Sequence, residues 1–182
     1  MEEKEYDPNW VQLNEYTSSW SDEFNREKMF LLRALGDTVL DIQHVGSTSI
    51  PGLSAKPIID IVVGVGDINI FDIQNISKLE NAEYTYRGDA GVPGRIFFRK
   101  GKPRAKFHLS IATLNGDYWS KQIVFRDYLR NHPQDVNEYE ELKVKLAQQY
   151  PNDRATYTIL KDPLITSILE RAYSWRKDTT TF

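Results

Sequence analysis

The residues 44–60, HVGSTSIPGLSAKPIID, hold the groups best suited to chemistry. A Gly-Ser pair, Gly46 and Ser47, directly after a strand lets the backbone come close to a ligand. If a short helix starts there, its free N–H groups and the Ser47 hydroxyl can hold a phosphate. Asp60 follows thirteen residues after Ser47, inside the apolar run IIDIVVGV. An aspartate there must be paired, bind a metal or titrate abnormally, because an unpaired buried carboxylate is expensive. Two readings stand side by side. One is a Gly-Ser turn with an acid satisfied by Lys56 or a backbone amide, and the other is a phosphate and metal site.

Further candidates come from elsewhere in the chain. His44 and His108 would make a two-histidine, one-carboxylate set with Asp60 if their strands are neighbours, a set that suits a transition metal as well as Mg²⁺. Arg95, Arg99 and Lys106 are candidates for phosphate contacts, since guanidinium and ammonium groups offset phosphoryl charge. Tyr157 and Lys161 stand one helical turn apart and could reach a ligand together. His132, in NHPQD, reads as a turn residue.

The elements that must position these groups follow from periodicity. A helix capped by Ser19 or Ser21 runs to about Leu35, with Phe24, Leu31, Leu32 and Leu35 as its buried face and Gly36 as its stop. Residues 39–45 and 58–65 read as strands. In the second, period two puts Asp60, Val62 and Gly64 on one face and Ile59, Ile61 and Val63 on the other. A helix over 71–79 leads into strands at 84–87, 95–99 and 106–112, joined by Gly/Pro turns. Helical patterns at 119–130 and 136–150 follow. Pro163 suits the first turn of a last helix, whose stripe is Leu164, Ile165, Ile168, Leu169, Ala172 and Tyr173. The order predicts a single α+β domain over 1–182, a small mixed β-sheet flanked by helices with a C-terminal helical segment.

Charge is unevenly spread. Residues 2–23 carry seven acids against one lysine, whereas 87–108 carry seven Lys/Arg against Asp89 alone. Such a local excess can focus an anionic ligand on a chain of net charge −3, or it is simply a solvated basic hairpin. The overall charge gives no reason to expect nucleic acid or an anionic membrane. There is no cysteine, which excludes disulfides, thiol nucleophiles and thiolate zinc sites. An acidic N-terminus and the lack of a long apolar run place the chain, as an expectation, in the cytoplasm.

The string HVGSTSIPGLSAKPIIDI resembles the signature of the GrpB family. The likeness continues in order through RIFFRK, FHLSI, VFRDYLRNHP, YEELKVKLA and RATYTILK, over nearly the whole chain. The resemblance implies a branch of the nucleotidyltransferase fold, in which a Gly-Ser motif contacts triphosphate and strand carboxylates hold Mg²⁺ or Mn²⁺. Gly46 and Ser47 then match the Gly-Ser element and Asp60 the first metal carboxylate. The pattern calls for a second acid two residues on, where this chain has Val62, and a third on a neighbouring strand, where it offers His108 and Ser110. Two metals need several carboxylate oxygens. The resemblance therefore implies a metal-dependent enzyme that transfers a nucleotidyl or phosphoryl group from a nucleotide to an acceptor, if acids from elsewhere complete the site or one metal suffices with histidine help. The alternative is a non-catalytic or regulatory module that binds a nucleotide or other phosphorylated small molecule without transferring it.

Overall fold

The computed structural model describes residues 9–179. Residues 2–8 of the acidic stretch lie outside the described part. Five strands, β1 (Asp41–Val45), β2 (Ile59–Val65), β3 (Tyr84–Tyr86), β4 (Ile96–Lys100) and β5 (Phe107–Thr113), form one sheet in the order β1-β2-β5-β4-β3. β2 and β5 run parallel, and the other pairs are antiparallel. The parallel pair needs a crossover, which α2 (Ile73–Asn81), β3 and β4 supply. Helix α1 (Ser19–Leu35) precedes the sheet, and α3 (Asp117–Asn131), α4 (Pro133–Gln149) and α5 (Arg154–Thr179) follow it. The α+β expectation holds. No helix among the described residues is long and apolar enough to cross a membrane.

The two faces of β2 go to different partners, as its alternation requires. Ile59, Ile61, Val63 and Val65 join Phe98, Leu109 and Ile111 beneath Trp20, Phe24, Leu31 and Leu35 of α1 and Leu79 of α2. On the other face Val62 packs with Val45, Ala112 and Trp119 of α3. Gly64 on that face is tight. A Cβ there would lie 2.7 Å from Leu114 and 3.0 Å from the Trp119 ring. A further apolar cluster ties α3, α4 and α5 to Ile50 and Leu53 of the loop after β1.

Three expectations change. The last helix begins at Arg154, with Pro163 in its interior. Asp153 accepts from the backbone N–H of Thr156 and starts the helix nine residues earlier than the proline suggested. Trp20 takes the buried place expected of Leu32, which is 37% exposed, because the stripe of α1 runs through Trp20, Phe24, Leu31 and Leu35. Tyr173 is likewise exposed, whereas Ile168, Leu169 and Ala172 are buried. Gly36 ends α1 as expected, with φ 57° and its N–H donating to the Leu32 carbonyl.

Candidate functional site

Strand register sets the floor of the site. Val45, Asp60, His108 and Arg99 are successive partners across β1, β2, β5 and β4, so their side chains share one face. The His108 Nδ1 lies 3.1 Å from Asp60 Oδ1. The Asp60 side chain is 40% exposed and that of His108 only 16%. With its Nδ1 facing the carboxylate, a neutral His108 carries its proton there, and its buried Nε2 has no hydrogen-bond partner among the described residues.

Gly46 lies against the carboxylate from the loop side. It has φ 70°, and a Cβ would fall 2.3 Å from Asp60 Oδ2. Glycine is therefore required twice, by backbone conformation and by close approach. The segment Ser47–Ser49 makes a single 3-10 turn rather than the start of an α-helix. Ser47 and the buried Tyr139 line the same hollow, and burial pushes the Tyr139 phenol up to about 12.

Two hollows meet at this floor and share Gly46, Asp60, His108, Arg154 and Thr158. The first, about 290 Å³, is lined by Ser47, Lys56, Tyr139, Lys143, Tyr157 and Lys161. Tyr157 is buried, and the ammonium groups of Lys56 and Lys161 lie 5.6 and 4.4 Å from its ring centre. Burial lowers both lysines to about 8, with neighbouring cations adding to the effect and Asp60 opposing it. Lys143, fully buried, donates to the Ser54 carbonyl and pairs with Glu140 at 3.4 Å. The second hollow, about 530 Å³, is lined by Arg95, Phe97, Ser110, Tyr118 and Gln122. Arg95 lies 4.3 Å over the Phe97 ring and donates to the Tyr118 hydroxyl.

The candidate residues thus divide. Gly46, Ser47, Lys56, Asp60, His108, Arg95, Tyr157 and Lys161 line the joined hollows. Arg99 stands beside His108 in register. Lys106 is turned away from the floor and pairs with Glu23 of α1 at 3.2 Å. His44 is the clear correction. Its strand does neighbour β2, but its partner is Ile61, one residue past Asp60, and that single step puts it on the opposite face. There its ring stacks on Phe24 at 4.9 Å, its Nε2 meets the Thr48 hydroxyl at 3.0 Å, and burial lowers it to about 4.

The donor set does not suit Mg²⁺ or Mn²⁺. Among the described residues, Asp60 is the only acid lining the two hollows, and no cluster of three or more His, Cys, Asp or Glu could hold a metal. Hard divalent cations want several oxygens, and here ammonium groups surround the single carboxylate.

The model of the GrpB family, described as GrpB protein, matches residues 10–171. This chain belongs to the GrpB family. It is 39% identical to the glutamate-rich protein GrpB of Alkalihalophilus pseudofirmus over 87% of this chain and 94% of that one. It is 35% identical to the UPF0157 protein YqkA of Bacillus subtilis over 92% of this chain, spanning only 48% of that relative. The crystal structure of conserved protein GrpB from Enterococcus faecalis superposes with a TM-score of 0.84 at 34% identity, covering 91% of this chain and 99% of that one.

Several lining residues escape a reading of single motifs. Lys143 and Tyr139 are one helical turn apart, and Lys143 sits on the buried stripe of α4 where an apolar residue belongs. That misplaced charge is the signal that could have found it. Arg154 and Thr158 sit on the turns of α5 beside Tyr157 and Lys161, visible only once the helix is known to start before Pro163. Tyr118 and Gln122 carry no such mark.

Proposed function

We propose that this GrpB-family chain binds a nucleotide or another phosphorylated small molecule, with the phosphates held in the Lys56–Lys161 hollow. The observation that carries this reading is the convergence of Lys56, Arg154 and Lys161 beside Ser47 on a hollow where Asp60 is the only acid among the described lining residues. Ammonium and guanidinium groups held at a partly desolvated surface attract phosphate more strongly than the same groups in water. Calorimetric titration of the chain with nucleoside triphosphates and inorganic tripolyphosphate tests it. Saturable binding is expected, with Kd at least tenfold higher in Lys161→Met, a loss of about 1.4 kcal/mol. A chain that binds none of these compounds would overturn the reading.

A second reading, transfer of a nucleotidyl or phosphoryl group, is favoured by the place of Asp60 where the two hollows join. A phosphate in one hollow and an acceptor hydroxyl in the other would meet beside this carboxylate. The carboxylate takes the hydroxyl proton as the acceptor oxygen bonds to phosphorus and the phosphoanhydride bond breaks, releasing pyrophosphate in nucleotidyl transfer or nucleoside diphosphate in phosphoryl transfer. No step of this reading passes through Mg²⁺ or Mn²⁺, since the residues do not fit them. Incubation with α- and γ-labelled nucleoside triphosphates and a set of small hydroxyl acceptors tests it. Labelled product that disappears in Asp60→Asn is expected if transfer occurs.

A further inference from the structure

We infer that the phosphate site works without a divalent cation, with Lys56, Lys161 and Arg154 supplying the positive charge that a metal at Asp60 would otherwise bring. The inference rests on the phosphate-binding reading above and deepens it by naming the ligand form, a metal-free polyphosphate group.

Geometry closes each place where further metal oxygens would be needed. Val62, two residues beyond Asp60 on the same face, is fully buried with Val45, Ala112 and Trp119. Gly64, two further on, has no room for a side chain. Ser110, opposite Val62 on β5, has its hydroxyl 2.9 Å from that of Tyr118. Asp60 Oδ1 faces the His108 Nδ1 at 3.1 Å, and Gly46 packs so closely on Oδ2 that a Cβ there would lie 2.3 Å away.

The cations, by contrast, are built in. Lys56 and Lys161 both rest on the ring of the buried Tyr157, one from the loop before β2 and one from α5. Two different elements therefore bring ammonium groups to one ring. A divalent ion at Asp60 would be repelled by all three cations, whereas a polyphosphate would meet them directly. Chelation by Mg²⁺ removes two negative charges from a polyphosphate, so metal should compete with the site for the ligand.

The full chain is titrated with inorganic tripolyphosphate by calorimetry, once with EDTA and once with excess Mg²⁺ or Mn²⁺. Binding with EDTA is expected to be as tight as with metal or tighter. Lys161→Met should raise Kd at least tenfold with EDTA present. Binding that requires metal, or that EDTA weakens tenfold, overturns the inference while leaving the phosphate site standing. Binding under neither condition overturns the phosphate-site reading and takes this inference with it.

Discussion

Gly46 and His44 are two residues apart and do opposite jobs. Gly46 combines φ 70° with a Cβ position 2.3 Å from Asp60 Oδ2, whereas Gly36, at φ 57°, has nothing within 4 Å. Gly36→Ala should therefore cost only backbone strain, about 1–3 kcal/mol. Gly46→Ala should cost more, roughly 2–4 kcal/mol, because either the loop or Asp60 must move. Denaturant melts of both variants check the order, and equal losses would mean that the close approach is relaxed without cost. His44 is 7% exposed and is lowered from 6.5 to about 4, so burial favours its neutral form. The unfolded chain then binds the proton first as pH falls. Stability is fully present above about 6.5, is lost between 6.5 and 4, and changes no further from this group below that window. The loss is about 3 kcal/mol, at 1.36 kcal/mol for each tenfold change in proton affinity between pH 6.5 and about 4. The difference in stability between wild type and His44→Asn, followed from pH 7 to 4, should trace that window.

At the scale of elements, α3 decides what the Asp60 face can become. Trp119 covers Val62 and Gly64, so the face is open only at its Asp60–His108 end. Val62→Asp would supply the acid that a two-metal strand pattern wants, but beneath the Trp119 layer. It should cost roughly 3–5 kcal/mol as an unpaired buried carboxylate, with no recovery on adding Mn²⁺. Thermal melts with and without Mn²⁺ check this, and metal-dependent rescue would show that the face does accept a cation. The sequence was informative here for a physical reason. Period two in IIDIVVGV states outright which residues share the Asp60 face, and the register with β5 then delivers His108. It was misleading for His44, because the alternation within a strand does not say which residue of a neighbouring strand lies opposite. It was misleading again at Pro163, where Asp153 capping and the buried Tyr157 carry the helix through a residue that usually opens one. Lys143 and Arg154 reach the hollow through tertiary packing of α4 and α5, which no local pattern contains.

At the scale of the whole molecule, the formal charge of −3 conceals a separation of charge. Lys56, Lys143, Arg154 and Lys161 gather at one hollow, and Arg95 lines its neighbour, while Asp60 is the acid among the described residues that lines both. The field that a phosphate meets is thus set by this cluster rather than by the total, and it should be screened by salt in the manner of a surface-accessible site. The lysines add a pH signature. Burial, the first cause, and the nearby cations lower Lys56 and Lys161 to about 8, with Asp60 opposing the fall; Asp162 also opposes it at Lys161. In the free protein both are mostly ammonium at neutral pH and mostly neutral amine by about pH 9. Because only the ammonium form attracts an anion, tripolyphosphate binding should weaken as pH rises, with Kd increasing about tenfold or more between pH 7 and 9. Ordinary surface lysines, near 10.4, would leave Kd almost flat over the same range. Lys161→Arg, which cannot lose its charge there, should flatten the upper limb, whereas Lys161→Met should lower affinity at pH 7 and leave a shallower slope carried by Lys56. Titrations of the three proteins at pH 7, 8 and 9 and at two salt concentrations separate these outcomes. A wild-type curve that stays flat to pH 9 while falling with salt would assign the attraction to Arg154 and the surrounding field, and would remove Lys56 and Lys161 from the role given to them.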